Sequence, residues 1–195
     1  MRRQRLVLRA SGFAESNRRR MMAFWKAPGV FTFLMTAALW VSWIAGTGAA
    51  ELLTTGRLEI DVPLGPDGAI GFFDIGYLVI GFGLTAIAVA MPVFVACLVF
   101  LFPLRLADEE TFLSKPVVWK YWIVTLCTLG GAGAYAIRQG EDGASSLAEV
   151  LPRTTEDAIM ATTFLAAHAA AGWFGARWLI RSAGLTETDQ PDREF

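Results

Sequence analysis

His168 is the residue whose type and position most directly indicate chemistry in this sequence. It is the single histidine of the chain and is flanked by alanines in a long apolar segment. An ionisable residue in such a segment indicates a haem or metal ligand, a quinone site or part of a proton path. A bis-histidine haem within the chain is excluded because there is no second histidine. A proton relay would lack an acidic partner at the same depth.

The simpler interpretation of His168 is structural. A neutral histidine on a packed helix satisfies its ring nitrogens by hydrogen bonding to a nearby hydroxyl or carbonyl group. Thr85, Thr125 and Thr128 lie in other apolar segments and are candidate partners. We expect this packing role for His168 and keep the residue as the one candidate for cofactor binding.

Other signals for chemistry are weak. Cys97 and Cys127 each lie inside an apolar segment, without the spacing of a disulfide framework or a metal site. The sequence has no HExxH, GxSxG, P-loop or dinucleotide-binding motif. We therefore predict no catalytic residues, no metal site and no cofactor for this chain.

The elements that would position His168 are long apolar segments. Residues 75–104 form a run of thirty without a single charge, and about 20 apolar residues are enough for a helix to cross a bilayer. Backbone polar groups in lipid must be satisfied internally, so helices are expected. The first segment is too long for the apolar part of a cleaved signal peptide, which holds roughly 7–15 residues. We predict an all-α integral membrane protein with four transmembrane helices, over residues 30–50, 75–104, 117–137 and 158–180.

These helices divide the chain into three parts. Residues 1–29 are a basic segment at the membrane surface, residues 30–181 are the transmembrane domain, and residues 182–195 are a polar tail. Pro28 and Gly29 are expected to interrupt the helix ahead of the first span. Thr154 and Asp157 have the spacing of a helix cap, which predicts the start of the fourth helix.

Small residues predict where the helices approach one another. Close packing of helices in membranes favours glycine and alanine spaced four residues apart, and such residues recur at that interval in the fourth segment. Proline removes one helix hydrogen bond, so a kink is predicted in the middle of the second segment. The predicted packing residues are Gly81, Gly83, Pro92, Gly130, Gly131, Gly133, Ala167, Ala171 and Gly175.

Aromatic and basic residues mark the expected lipid–water boundaries. Tryptophan favours headgroup depth, and Lys or Arg favours the aqueous side of the interface. The basic N-terminal segment is expected to bind anionic lipid rather than nucleic acid, because it adjoins a span. The predicted interface anchors are Arg18, Arg19, Arg20, Trp25, Trp119, Lys120, Trp122, Arg177 and Trp178.

Residues 57–64 alternate strictly between apolar and polar side chains, which is the period of a strand with one covered face. Leu58, Ile60 and Val62 would form the covered face. No second strand is evident in the sequence to pair with it. An extended loop along the membrane surface is the expected structure, and a strand that adds to a partner's sheet is the alternative.

The distribution of charge predicts which side of the membrane each segment faces. Four spans put both termini on the same side. With the N-terminus inside, 14 Lys and Arg residues lie on the inner side and 3 lie in the two outer loops of about twenty residues. This bias predicts that both termini are cytoplasmic and that the chain resides in a bacterial-type inner membrane.

The sequence favours a non-catalytic membrane protein that acts as an accessory, scaffold or assembly subunit of a larger complex. Few polar residues lie at membrane depth, while the small-residue faces exceed the needs of four helices. The expected partners are the bilayer and other membrane subunits or further copies of the chain, and not nucleic acid. Two alternatives stay open. One is a small transporter or channel subunit with His168 and the Pro92 kink along its path, and the other is a redox or quinone-linked anchor that uses His168.

Overall fold

A computed structural model describes residues 2–56, 72–101, 116–141 and 150–184. Nearly all of these residues are helical, and the described ranges contain no strand. The prediction of an all-helical protein is confirmed for this part of the chain. Residues 57–64, with their predicted strand or loop, lie outside the described ranges. The helices are α1 (Arg2–Thr55), α2 (Phe72–Ala96, continued by a π-helical turn at Cys97–Leu101), α3 (Pro116–Glu141) and α4 (Thr155–Ser182).

Helix α1 is continuous through Pro28, so the expected interruption at Pro28–Gly29 is wrong. A proline inside a helix removes one backbone hydrogen bond and crowds the preceding turn. Packing around the proline offsets this cost, since Ala23, Ala27 and Phe31 are buried in one core cluster with residues of α3 and α4. Tertiary contacts here outweigh the local preference of the sequence.

Three helical stretches are long and apolar enough to cross a bilayer. They are Met21–Thr55 in α1, Leu78–Leu101 in α2 with its π-helical turn, and Thr155–Ser182 in α4. Helix α3 has 26 residues and is therefore long enough, but it is not among these candidates. Its sequence includes Lys120, several aromatic residues with polar edges and a run of glycines, all of which lower its hydropathy. The structure thus supports a helical membrane bundle with three candidate spans.

Helix α4 is the centre of the bundle. It packs extensively against α1 on one side and α3 on the other, whereas α1 and α3 touch only slightly. Helix α2 packs on α1 and leaves most of its surface uncovered. One core cluster lies around Phe31, Ile123 and Leu179, and a second lies around Tyr135 and Phe164.

Hydroxyl groups within the helices bond to their own backbone. Side chains of threonine donate to the carbonyl oxygen four residues earlier, at distances of 2.7–2.9 Å. This arrangement satisfies a polar group without water, as a helix surrounded by lipid requires. The residues concerned are Thr36, Thr47, Thr85, Thr125, Thr128 and Thr163.

Candidate functional site: an apolar cleft between α2 and α3

A cleft separates α2 from α3 because α2 packs mainly on α1 and meets α3 near its π-helical turn, where Phe100 contacts Trp122. Its volume is about 900 Å³, and it is partly open to the surroundings of the bundle. Phe31 and Leu39 of α1, Val89 of α2 and Leu126 of α3 give it a mainly apolar wall, and α4 contributes Phe164 and His168. A space of this size and lining suits a hydrophobic or amphipathic molecule.

His168 borders this cleft and is otherwise enclosed, with 2% of its surface exposed. Its Nδ1 lies 2.8 Å from the carbonyl oxygen of Phe164, and the two rings stack with an angle of 11° between their planes. A carbonyl oxygen can only accept, so Nδ1 carries the proton and Nε2 keeps its lone pair. The arrangement is that of a neutral histidine fixed in one orientation.

The three threonines considered from the sequence have other partners. Thr125 and Thr128 donate to carbonyl oxygens of their own helix. Thr85 donates to the carbonyl of Gly81 and accepts a hydrogen bond of 3.3 Å from Nε1 of Trp40. The carbonyl of Phe164 takes the place of these hydroxyls at His168, and Thr85 instead joins α2 to α1.

Several of the small residues predicted to mediate packing lie at close contacts. A Cβ added to Gly131 would lie 2.7 Å from Cγ of His168, and one added to Gly130 would lie 3.2 Å from the methyl carbon of Met35. Gly175 lies directly against the ring of Phe31, and Gly81 against the indole of Trp40. Ala171 is buried and Ala167 is half-buried.

Gly83, Gly133 and Pro92 do not lie at helix contacts of this kind. A Cβ at either glycine would meet nothing within 4 Å, and Gly133 borders the cleft. Pro92 is exposed and also borders the cleft. Helix α2 continues past this proline to Ala96 and then changes to the π-helical turn, a feature that frequently occurs at functional sites.

Two glycines at tight contacts were missed from the sequence. A Cβ on Gly172 would lie 2.8 Å from Cβ of Cys127, and one on Gly46 would lie 2.5 Å from the sulfur of Met160. Gly172 follows His168 by four residues, so the helical period places both on the α4 face that meets α3. That spacing was the available signal. Gly46 lies in a run of small residues that gave no comparable indication.

The predicted interface anchors occupy different environments. Trp25 is 68% exposed, as expected for a residue in the headgroup region, and Arg18 and Arg177 are exposed as well. Trp122 is exposed, and Trp178 is half-buried. The side chains of Arg19 and Arg20 lie outside the described part of the structure.

Trp119 and Lys120 differ from the expected anchors in what they contact. Trp119 is 5% exposed and packs edge-on against Phe24 at a centroid distance of 6.2 Å, so it belongs to the core. The Nζ of Lys120 lies 3.5 Å from the centre of the Trp173 ring on α4. Trp119 is therefore inside the bundle, whereas Lys120 is half-buried and contacts an exposed ring. Residue type alone does not reveal this difference.

Arg138 is the charged residue of the cleft among the lining residues that the structure describes. Its guanidinium carbon Cζ lies 5.0 Å from the centre of the Trp43 ring, a cation–π arrangement. The Nη1 atom is buried and has no hydrogen-bond partner. In the sequence, Arg138 directly follows the predicted third span, and residue spacing gives no indication of its contact with Trp43.

The mainly apolar lining of the cleft suits the binding of an apolar molecule. Within the described ranges, no group of three or more His, Cys, Asp or Glu side chains is placed to hold a metal ion. Cys97 and Cys127 are both free thiols, and both border the cleft.

Comparison with protein-family models, curated proteins and solved structures finds no match to this chain.

Proposed function

We propose that this protein is a non-catalytic accessory or scaffold subunit of a larger membrane complex. The supporting observation is the one-sided packing of α2. In the most apolar stretch of Leu78–Leu101, 6% of the residues are buried, against 33% in the corresponding stretch of α4. A helix so weakly covered by its own chain is available to a helix of another subunit.

The spacing of exposed residues on α2 supports this proposal. Large apolar side chains recur at intervals of four and three residues on the side turned away from the cleft. This interval is the repeat of a helix that packs along another helix, with each side chain fitting between those of its partner. We call this set the α2 stripe, and it consists of Ile80, Leu84, Ile87, Met91, Phe94 and Leu98.

The membrane arrangement is part of the same proposal. Helix α3 crosses the bilayer as a fourth span, with both termini in the cytoplasm of a bacterium, because 14 Lys and Arg residues then lie inside and 3 outside. The basic N-terminal segment meets anionic lipid on the inner surface. Reporters that are active only outside the cytoplasm, fused at Gly68 and at Gly143, should be active. The same reporter at the C-terminus should be silent, and activity there would rule out four spans.

The subunit proposal is tested by purification in mild detergent followed by a native mass measurement. We expect a partner or further copies to co-purify with the full chain. Replacing Leu84, Ile87 and Met91 together by Ala should release that partner. A matched control replaces Val41, Leu129 and Phe174, which are equally exposed on the other helices, and it should retain the partner. A monomeric native mass, or equal retention by both triple variants, would contradict the proposal.

A transporter or channel subunit is the second candidate, and one observation favours it. Pro92 and His168 border the same cleft, although they lie on different helices. His168→Ala separates the two candidates: loss of solute movement with an intact complex would favour transport, whereas unchanged function would favour the packing role. A haem band in the absorbance spectrum of the purified protein would instead favour the redox anchor.

A further inference from the structure

Arg138 places a positive charge at one end of the cleft, and one of its N–H groups has no hydrogen-bond acceptor. Its Nη1 is buried without a hydrogen-bond partner, and a buried guanidinium N–H in that state carries an uncompensated desolvation cost. The contact with Trp43 orients the guanidinium but provides no hydrogen-bond acceptor in the plane of the group. An anionic oxygen supplied by a ligand would satisfy Nη1.

The rest of the cleft has the dimensions of a hydrocarbon chain. Ile123 borders the cleft and precedes Arg138 by fifteen residues on α3, a rise of about 22 Å. Between them the wall consists of apolar and small side chains such as Leu126 and Gly130 of α3 and Val93 of α2. The hydrocarbon core of a bilayer is about 30 Å thick, so a chain along this path stays within it.

We propose that the cleft binds an anionic phospholipid, with its phosphate on Arg138 and an acyl chain extending between α2 and α3 towards Ile123. Arginine matches phosphate because its planar N–H groups can donate two parallel hydrogen bonds. The neighbouring Trp43 is of the residue type that favours headgroup depth. This site goes beyond the subunit role. It lies on the opposite side of α2 from the α2 stripe, so lipid binding and partner binding can fail separately.

Two pairs of variants test the two parts of the site separately. These parts are the apolar cleft and the arginine at its end. Gly133→Leu places a side chain in the cleft, and Gly83→Leu makes the same change on α2 outside it. A Cβ at either position meets nothing within 4 Å, so neither change begins with a clash. Arg138→Gln removes the charge at the end of the cleft. Arg153→Gln removes an exposed arginine that does not border the cleft.

The measurement is native mass spectrometry of the full chain in detergent, titrated with dioleoyl-phosphatidylglycerol, dioleoyl-phosphatidylcholine or inorganic phosphate. We expect one phosphatidylglycerol per chain to be retained at least about tenfold more tightly than phosphatidylcholine. Both lipids carry the phosphate, but the quaternary ammonium of phosphatidylcholine offsets the phosphate charge and repels the Arg138 guanidinium. Arg138→Gln should remove that preference and Gly133→Leu should remove the bound lipid. Gly83→Leu and Arg153→Gln should behave like the unmodified protein.

Other results would overturn the proposal. Equal retention of both lipids by the unmodified protein would show that no anionic headgroup is recognised, and this result requires no variant to fold. Binding of inorganic phosphate that displaces the lipid would show a phosphate site without a lipid chain. If Gly133→Leu releases a partner subunit while lipid retention is unchanged, the cleft holds a protein helix instead.

Discussion

Gly131 of α3 lies directly against the side chain of His168 on α4. A Cβ at position 131 would be 2.7 Å from Cγ and 2.8 Å from Cβ of the histidine. Only a residue without a side chain allows the two helices to approach so closely. The Nδ1 of the histidine is hydrogen-bonded to the carbonyl of Phe164, so the ring cannot move aside without losing this bond. The pair therefore sets the distance between α3 and α4.

Gly131→Ala should consequently destabilise the protein. Overpacking of a tight contact typically costs about 1–3 kcal/mol, and we expect a loss in that range in the free energy of unfolding, measured by denaturant titration in detergent. Gly133→Ala is the control, because its Cβ meets nothing within 4 Å. It should be neutral or stabilise the helix by up to about 1 kcal/mol. Equal losses for both variants would mean that the contact with His168 is not the cause.

The glycines of α3 also show how far the sequence could predict the packing. The cluster of small residues in α3 predicted a close approach of helices, but Gly130, Gly131 and Gly133 are the same residue type and have different surroundings. Which of them meets a neighbour depends on the rotation of α3 about its axis. That rotation is fixed by contacts with α4, such as Cys127 against Gly172. The spacing of residues within α3 alone cannot predict it.

The same reasoning explains the outcomes at Pro28 and Arg138. The local effect of Pro28 on the backbone predicted an interruption of the helix. Helix α1 is nevertheless continuous, because Ala23 and Ala27 are buried against neighbouring helices. Arg138 directly follows the predicted third span, and its place in the cleft depends on the contact with Trp43, which lies 95 positions earlier in the chain. The all-helical class was predictable from the long apolar segments, whereas the cleft arises from contacts between segments that are distant in the sequence.

The start of α4 offers a local test of stability. Thr154 and Asp157 form a reciprocal cap, in which the threonine Oγ1 accepts from the backbone N–H of Asp157 at 3.1 Å and the aspartate Oδ2 accepts from that of Thr154 at 3.1 Å. The spacing predicted this cap, and the structure confirms it. Thr154→Ala should cost about 1 kcal/mol in the free energy of unfolding.

Hydrogen exchange can localise this effect. Faster exchange is expected at the first turn of α4 in Thr154→Ala, since backbone N–H groups there lose their acceptor. Thr155→Ala changes the adjacent, equally exposed threonine and should leave exchange nearly unchanged. If the two variants exchange alike, the cap does not hold the helix end.

Pro92 is expected to affect assembly more than Cys97, although both border the cleft. The proline leaves the carbonyl of Ala88 without its helix donor and precedes the π-helical turn that begins at Cys97. Pro92→Ala restores the donor and should straighten α2, which would shift the α2 stripe relative to its partner. Cys97→Ala removes only a small side chain.

The yield of co-purified complex provides the comparison. We expect a clear reduction for Pro92→Ala and little change for Cys97→Ala, with similar amounts of each variant in the membrane. Circular dichroism of the purified chains checks that helix content is maintained. Equal effects of the two substitutions on complex yield would show that the shape of α2 at Pro92 does not control assembly.

Trp40 and Thr85 form a side-chain hydrogen bond that joins α1 to α2. The indole Nε1 donates to Oγ1 of Thr85 over 3.3 Å, while the Thr85 hydroxyl donates to the carbonyl of Gly81. Thr85→Val keeps the shape of the side chain and removes this acceptor. Because α2 packs mainly on α1, we expect this substitution to weaken the attachment of α2 to α1 by about 0.5–1.5 kcal/mol.

Hydrogen exchange resolved along the chain can measure that attachment. We expect faster exchange across α2 in Thr85→Val, with α4 unchanged. Thr125→Val is the matched control, since its hydroxyl bonds only to the carbonyl of Tyr121 in the same helix. Faster exchange in α3 alone is expected for that control. If α2 exchanges at the same rate in Thr85→Val and in the unmodified protein, the apolar contacts around Phe82, including the ring pair with Trp40 at 6.2 Å, are sufficient to hold the helix.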